Sequence, residues 1–216
     1  MKTSFAPLLR ALMLALFSLT LGSESAAGSE PGDTNSLPPC CRKFLPGGPV
    51  TDTSLYLLES RWISDVQTDI RLEVLRGRPQ IVAMFFTQCE YACPILVNEL
   101  RRLESALPVA LKDQVDFLLV SFDTERDNAL TLAKFRQTQH LGNTHWTLLT
   151  GQPDDVRELA ALLGVNYQKD GRGQFSHSNL ITVLNREGEV ARQFGGLQLP
   201  LDDVLKLLGT MVPTPH

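Results

Sequence analysis

Several things are scarce in this 216-residue chain, and each scarcity excludes something. Its 20 Lys and Arg stand against 24 Asp and Glu, a net charge of −4. There is no cationic surplus to coat a nucleic acid, and the basic residues are scattered rather than clustered. Neither Gly-x-Gly-x-x-Gly nor Gly-x-x-x-x-Gly-Lys-Ser/Thr occurs, so no nucleotide cradle is indicated. Beyond Leu21 no apolar stretch approaches the roughly 20 residues that a membrane-spanning helix needs. Cysteine and histidine number four each, few enough for every one to be weighed singly. What is present, 43% hydrophobic residues, excludes a disordered or collagen-like chain and suffices for one ordinary domain.

The first residues speak to location. Lys2 and Arg10 carry positive charge, Ala11 to Leu21 is an apolar run of 11 residues, and Ser25-Ala26-Ala27 offers small residues for cleavage. Residues 1–27 therefore read as a secretory signal peptide; the competing reading is an uncleaved anchor beginning near Phe5. Both put the domain outside the cytoplasm, in the periplasm, either soluble or held to the inner membrane by the N-terminus alone. Residues 28–50, rich in Gly, Pro and Ser, read as a flexible linker, and residues 51–212 as the folded domain.

Within that domain, strand and helix patterns alternate. Short strands or edge structure are expected at Ser54 to Leu58 and at Trp62-Ile63, and a brief helical turn over Leu72 to Leu75. Pro79 to Phe86 is continuously apolar after its start, which suits a central strand buried on both faces. Pro94 can open a helix, because its missing N–H would be unpaired in the first turn anyway; Leu96, Leu100, Leu103 and Leu107 recur along it until Pro108. Val115 to Phe122 is a second buried strand, followed by a helix from Asp127 or Asn128. Trp146 to Thr150 is a third strand, with a helix from Pro153 to Gly164. Asn179 to Leu184 and Glu189 to Phe194 form a hairpin about Asn185 to Gly188, and a last helix covers Leu201 to Leu208. This order predicts an α/β domain with a central mixed sheet, helices on both faces and a C-terminal hairpin.

The order also locates the core cysteines. Cys89 falls at the carboxyl end of a sheet strand and Cys93 in the first turn of the next helix, the usual place for sites in open α/β sheets. Backbone N–H groups at a helix start favour thiolate. Residues four apart on an ideal helix stand about 5–6 Å apart at Cβ, wider than the roughly 3.5–4.5 Å of a disulfide. If Cys89 precedes the helix it can swing inward, so the pair can clasp a soft metal or close into a disulfide. Two thiolates select Cu(I), Zn or iron–sulfur iron over hard cations. A zinc site wants four ligands, whereas Cu(I) is satisfied by fewer, so copper is favoured if one imidazole is within reach. His216 reads as a tail residue, His140 as a helix-end residue and His145 as structural. His177 differs: it lies between the polar stretch Lys169 to Gln174 and a strand, where a mobile loop feeds a fixed one.

Taken in order, the strand leading to FFTQCEYACP, then VSFDTERDNALTLAKF, WTLLTG and FSHSNLITVLNREGEV, resemble the Sco/SenC family of thioredoxin-fold copper proteins that assist cytochrome c oxidase assembly. The resemblance runs from about Leu55 to Leu197. It implies a thioredoxin-like fold, with Cys89, Cys93 and His177 as ligands of one copper, Cu(I) or Cu(II), and with Cys89 and Cys93 also able to act as a redox dithiol. It further implies Asp123 and Asp127 as accessory acidic residues, although a helix-cap role accounts better for Asp127. The partners implied are the copper-bearing subunit of cytochrome c oxidase or another copper protein, with a copper donor or a thiol-disulfide reductase beside it. Two departures stand out. Ser176 occupies the position before the histidine where many relatives carry Asp. Glu90 follows the first cysteine where many have Pro, and its charge would raise the thiol pKa values if desolvated.

Cys40 and Cys41 fall outside the resemblance. They read as incidental or as forming an intermolecular disulfide, or else as a second copper or dithiol station. The rival to a copper carrier is a thiol-disulfide oxidoreductase that works on a partner's cysteines with no metal in its cycle. A peroxidase is disfavoured, since no Thr or Ser stands three residues before an isolated reactive cysteine.

Overall fold

The computed structural model describes residues 54–171 and 173–212. The segments read as signal peptide and linker, together with Cys40, Cys41 and His216, lie outside the described residues. In chain order the elements are β1 (Trp62–Ser64), β2 (Asp69–Ile70), β3 (Gln80–Phe85), α1 (Ala92–Ala106), α2 (Val109–Lys112), β4 (Asp116–Ser121), α3 (Ala129–Thr138), β5 (Trp146–Gly151), α4 (Pro153–Leu162), β6 (Tyr167–Lys169), β7 (Phe175–His177), β8 (Leu180–Leu184), β9 (Val190–Gly195) and α5 (Leu201–Met211). Among the described residues no helix is long and apolar enough to cross a membrane.

Seven strands form one mixed sheet in the order β2-β1-β5-β4-β3-β8-β9, and β6 and β7 form a separate two-stranded sheet. β3, β4 and β5 run parallel, flanked by antiparallel β1 on one side and β8 on the other. Every residue of β3 is buried. Because successive side chains of a strand point to opposite faces, both faces of the sheet centre are covered, as the unbroken apolar run predicts. α1 presents Leu96, Leu100 and Leu103 to the core and ends before Pro108, with Leu107 buried just beyond it.

The register decides what meets at the sheet's edge. β3 and β4 end level, Phe85 beside Ser121, so the segments after them, which contain Cys89 and Asp123, leave from the same edge. β8 runs antiparallel to β3, with Ile181 opposite Ala83 and Leu184 opposite Gln80. The chain entering β8 therefore arrives where β3 departs, and His177 lies three residues upstream of that entry.

Three expectations need correction. Leu55–Leu57 is a 3-10 turn rather than strand: the Ser54 hydroxyl accepts from Tyr56 N–H at 3.1 Å and so stabilises the turn. Buried Tyr56 then packs on Gly188 (φ +83°), where an added Cβ would lie 2.5 Å from the ring. The helix α3 is capped by Asn128, whose side chain accepts from Thr131 N–H, which frees Asp127 for other work. Finally, the polar stretch Lys169 to Gln174 turns between two short strands that the sequence did not announce: only Lys169 is in strand, His177 ends the second one, Tyr167 lies opposite His177 and Lys169 opposite Phe175. The strands of this hairpin are three residues each, too short for alternation to register against the Gly and charged residues between them.

Candidate metal centre

Cys89 is half-buried in the turn after β3, where its N–H donates to Phe86 C=O at 3.3 Å. Cys93, in the first turn of α1, is fully buried, and its N–H donates to Cys89 Sγ at 3.3 Å. Both thiols are free. Cys89 therefore stands just ahead of the helix, as the inward swing requires, with its sulfur at the positive end of α1.

Burial has the opposite effect on its neighbour. Desolvation pushes the Cys93 thiol well above its ordinary value; a main-chain hydrogen bond at Phe86 opposes this, and Cys89 and Asp127 add to it. The helix start does not prevail at Cys93, because taking a thiolate out of water costs more than the helix dipole returns. Glu90 is exposed, so it is not the desolvated charge that the sequence raised. The carboxylate acting on Cys93 is that of Asp127.

His177 closes the group. Its Nδ1 lies 3.1 Å from Ser178 C=O. A carbonyl only accepts, so Nδ1 donates, and in the neutral imidazole Nε2 is then the nitrogen open to a metal. Nε2 lies 3.9 Å from Cys93 Sγ, and the donor atoms of Cys89, Cys93 and His177 all fall within 4.8 Å of one another. With bonds of about 2.3 Å to sulfur and 2.0 Å to nitrogen, one ion can span the Cys93–His177 gap. The imidazole meets Phe86 edge-on and stands 5.1 Å from the Phe122 ring, centre to centre. The cleft above is lined by Phe86, Cys89, Glu90, Tyr91, Phe175 and His177. A soft donor set at an open, aromatic-walled cleft suits a thiophilic metal.

The two acidic residues lie outside this donor group. Buried Asp127 accepts from Thr87 N–H at 2.9 Å, Thr87 Oγ1 at 2.5 Å and Ser121 Oγ at 2.6 Å. It thereby ties the turn that holds Cys89 to the end of β4. Asp123, 1% exposed, pairs with Arg126. His145 is engaged elsewhere, 2.9 Å from Asp116 and 3.5 Å from Asp113, and His140 takes a left-handed conformation beyond α3 (φ +53°). Ser176 is exposed. Reading the sequence overlooked Thr87, Ser121 and Arg126; the one available signal was the clustering of Arg126 between Asp123 and Asp127.

Residues 62–211 match the family model described as SCO1/SenC. The chain belongs to the SCO1/SenC family. Among curated relatives, the SCO1 protein homolog of Bacillus subtilis (strain 168) is 26% identical over 143 residues, covering 63% of this chain and 72% of that one. ScoI of Bradyrhizobium japonicum, solved with copper bound, superposes with a TM-score of 0.61 at 21% identity, over 78% of this chain and 100% of its own. BsSco, described as a member of the Sco family of cytochrome c oxidase assembly proteins with a disulfide switch, gives 0.64 at 21% identity, over 77% and 96%. At such identities the superpositions establish the fold: this SCO1/SenC domain is thioredoxin-like.

Proposed function

We propose that this domain is a copper carrier outside the cytoplasm. Cys89, Cys93 and His177 hold one copper as cargo and yield it to the copper-bearing subunit of cytochrome c oxidase or to another copper protein. The observation that carries the reading is the position of His177 Nε2, 3.9 Å from Cys93 Sγ and grouped with Cys89 in one soft donor set. Among the described residues no fourth His, Cys, Asp or Glu joins the three, which suits Cu(I) better than tetrahedral zinc. The half-exposed Cys89 gives an acceptor's ligand a point of entry. Copper-bound Sco structures among the neighbours support the choice of metal, the signal-like residues 1–27 support a periplasmic setting, and the family supports the oxidase as destination.

Anaerobic titration of the reduced protein tests the reading: one copper per chain is expected, with binding lost in Cys89→Ser and Cys93→Ser. In His177→Ala, Cu(II) affinity is expected to fall by more than tenfold, because Cu(II) takes nitrogen ligands readily; an unchanged Cu(II) spectrum in that variant overturns the ligand assignment.

The free dithiol supports a second reading. Half-exposed Cys89 would attack a partner's disulfide to form a mixed disulfide, and Cys93 would then displace the partner, leaving a Cys89–Cys93 disulfide and a partner reduced by two electrons. Exchange activity that persists without copper and in His177→Ala would select this reading over the first.

A further inference from the structure

The hairpin that carries His177 has no ladder to the main sheet; β6 and β7 pair only with each other. Side chains must therefore hold it to the body. Phe175 packs edge-on against Phe86 and Phe122, and Tyr167 stacks on Phe122. These apolar contacts press the hairpin down but set no unique position along the surface. Two polar groups do: Lys169 of β6 pairs with exposed Glu125 at 2.5 Å, a contact that solvent weakens, and Arg126 ties the hairpin turn to the buried core.

The Arg126 guanidinium makes three directed contacts. Its Nε pairs with the buried Asp123 carboxylate at the end of β4. Nη1 donates to Gln88 Oε1 at 3.1 Å, beside Cys89. Nη2 donates to Gly173 C=O at 2.6 Å, in the hairpin turn. The same cation lies 6.0 Å from the Phe86 ring centre and 5.8 Å from that of Phe175. Asp123 sits too deep to be left without a cation, and its other carboxylate oxygen has no hydrogen-bond partner among the described residues. The base of the guanidinium is thus anchored in the core, and its rigid fork reaches both the cysteine turn and the histidine hairpin. Lysine, a single flexible ammonium, cannot satisfy three acceptors in one plane.

We infer that Arg126 is a positioning residue, which locks the β6–β7 hairpin so that His177 is presented to the two cysteines as the third ligand. This rests on the copper reading for its ligand roles but not for the hairpin's restraint, and the two can be tested apart.

The experiment uses the full-length chain with Cys40 and Cys41 changed to Ser, and Cu(II) as probe. Arg126→Lys keeps a cation for Asp123. It is expected to lower Cu(II) affinity about tenfold, in line with the loss of an outer-shell partner. It should also weaken the nitrogen coupling in the electron paramagnetic resonance spectrum while sulfur-to-copper absorption persists. In a double-mutant cycle, Arg126→Lys is expected to cost nothing further once His177 is Ala, because it acts through that ligand. Wild-type affinity and nitrogen coupling in Arg126→Lys, or an equal loss in the His177→Ala background, overturns the inference. If His177→Ala itself binds Cu(II) as wild type does, the copper reading fails instead. The clamp is then judged by amide hydrogen exchange in the metal-free protein: faster exchange at residues 167–169 and 175–177, with β3 unchanged, upholds it, and unchanged exchange there refutes it.

Discussion

β3 and the β6–β7 hairpin supply the two halves of one site and are held in opposite ways. β3 is buried along its whole length and hydrogen-bonded to β4 on one side and β8 on the other. The hairpin has no buried residue on either strand and pairs only with itself. The cysteines thus follow a strand fixed by burial and by ladders on both sides, while the histidine rides on an element held by rings, Arg126 and the exposed Lys169–Glu125 pair. On the proposed carrier reading this asymmetry has a use: the two cysteines would form a fixed platform, and His177 would leave first when an acceptor approaches.

The largest contrast is expected from two phenylalanines. Phe85→Ala, in fully buried β3, should cost about 3–5 kcal/mol of unfolding free energy. Phe175→Ala removes three aromatic contacts, two to Phe86 and Phe122 in the body and one to Tyr167 within the hairpin, and should cost only about 1–2 kcal/mol, while weakening Cu(II) binding. Chemical denaturation beside copper titration measures both, and equal stability losses would erase the distinction between platform and hairpin.

The fixed half carries a pH signature. Burial holds the proton on Cys93, so metal binding must displace it, and affinity should rise about tenfold per pH unit for one proton released. The sign is set by the raised thiol pKa: the protonated form competes at every pH below it. Copper competition assays between pH 6 and 8 in wild type and Cys93→Ser check this: the slope should be shallower in the variant, and an unchanged slope would mean that Cys93 releases no proton to the metal.

The smallest effect concerns the hairpin, where Lys169 Nζ on β6 lies 2.5 Å from Glu125 Oε2. The hydrogen bond and charge of Lys169 hold the Glu125 carboxyl below its ordinary 4.5. A lowered pKa stabilises the contact fully above that ordinary value, and the benefit vanishes as pH falls from there through the lowered one. Because Glu125 is solvent-exposed, the effect belongs to the hairpin rather than to global stability. Titration of the Glu125 carboxyl resonance in wild type and in Lys169→Met should show the value returning to the ordinary range in the variant.

Most of the sheet is legible in the sequence. The run Ile81 to Phe86 marks a strand buried on both faces because only such a strand tolerates unbroken apolarity. The same logic located Val115 to Phe122, and Leu96, Leu100 and Leu103 declared one face of α1. The cysteine pair was legible from its place after a strand and at a helix start. The hairpin β6–β7 was not, since three-residue strands around Gly171 and Gly173 carry no period to read. Asp127 reads as a cap because an Asp two residues before a helix, beside the Asn that caps it, looks the same in sequence whether it caps that helix or reaches across to Thr87 and Ser121.

By itself the amino-acid order determined the alternation of strands and helices, because local hydrophobic period is a property of neighbours along the chain. It determined the thiol pair too, since four residues cannot stray far from one another. Only the tertiary structure decided that His177, 84 residues beyond Cys93, turns its free nitrogen toward both sulfurs. That meeting depends on the antiparallel arrival of β8 beside β3 and on contacts made by Phe86, Phe122 and Arg126. All of these join residues remote in sequence, and no local pattern encodes them.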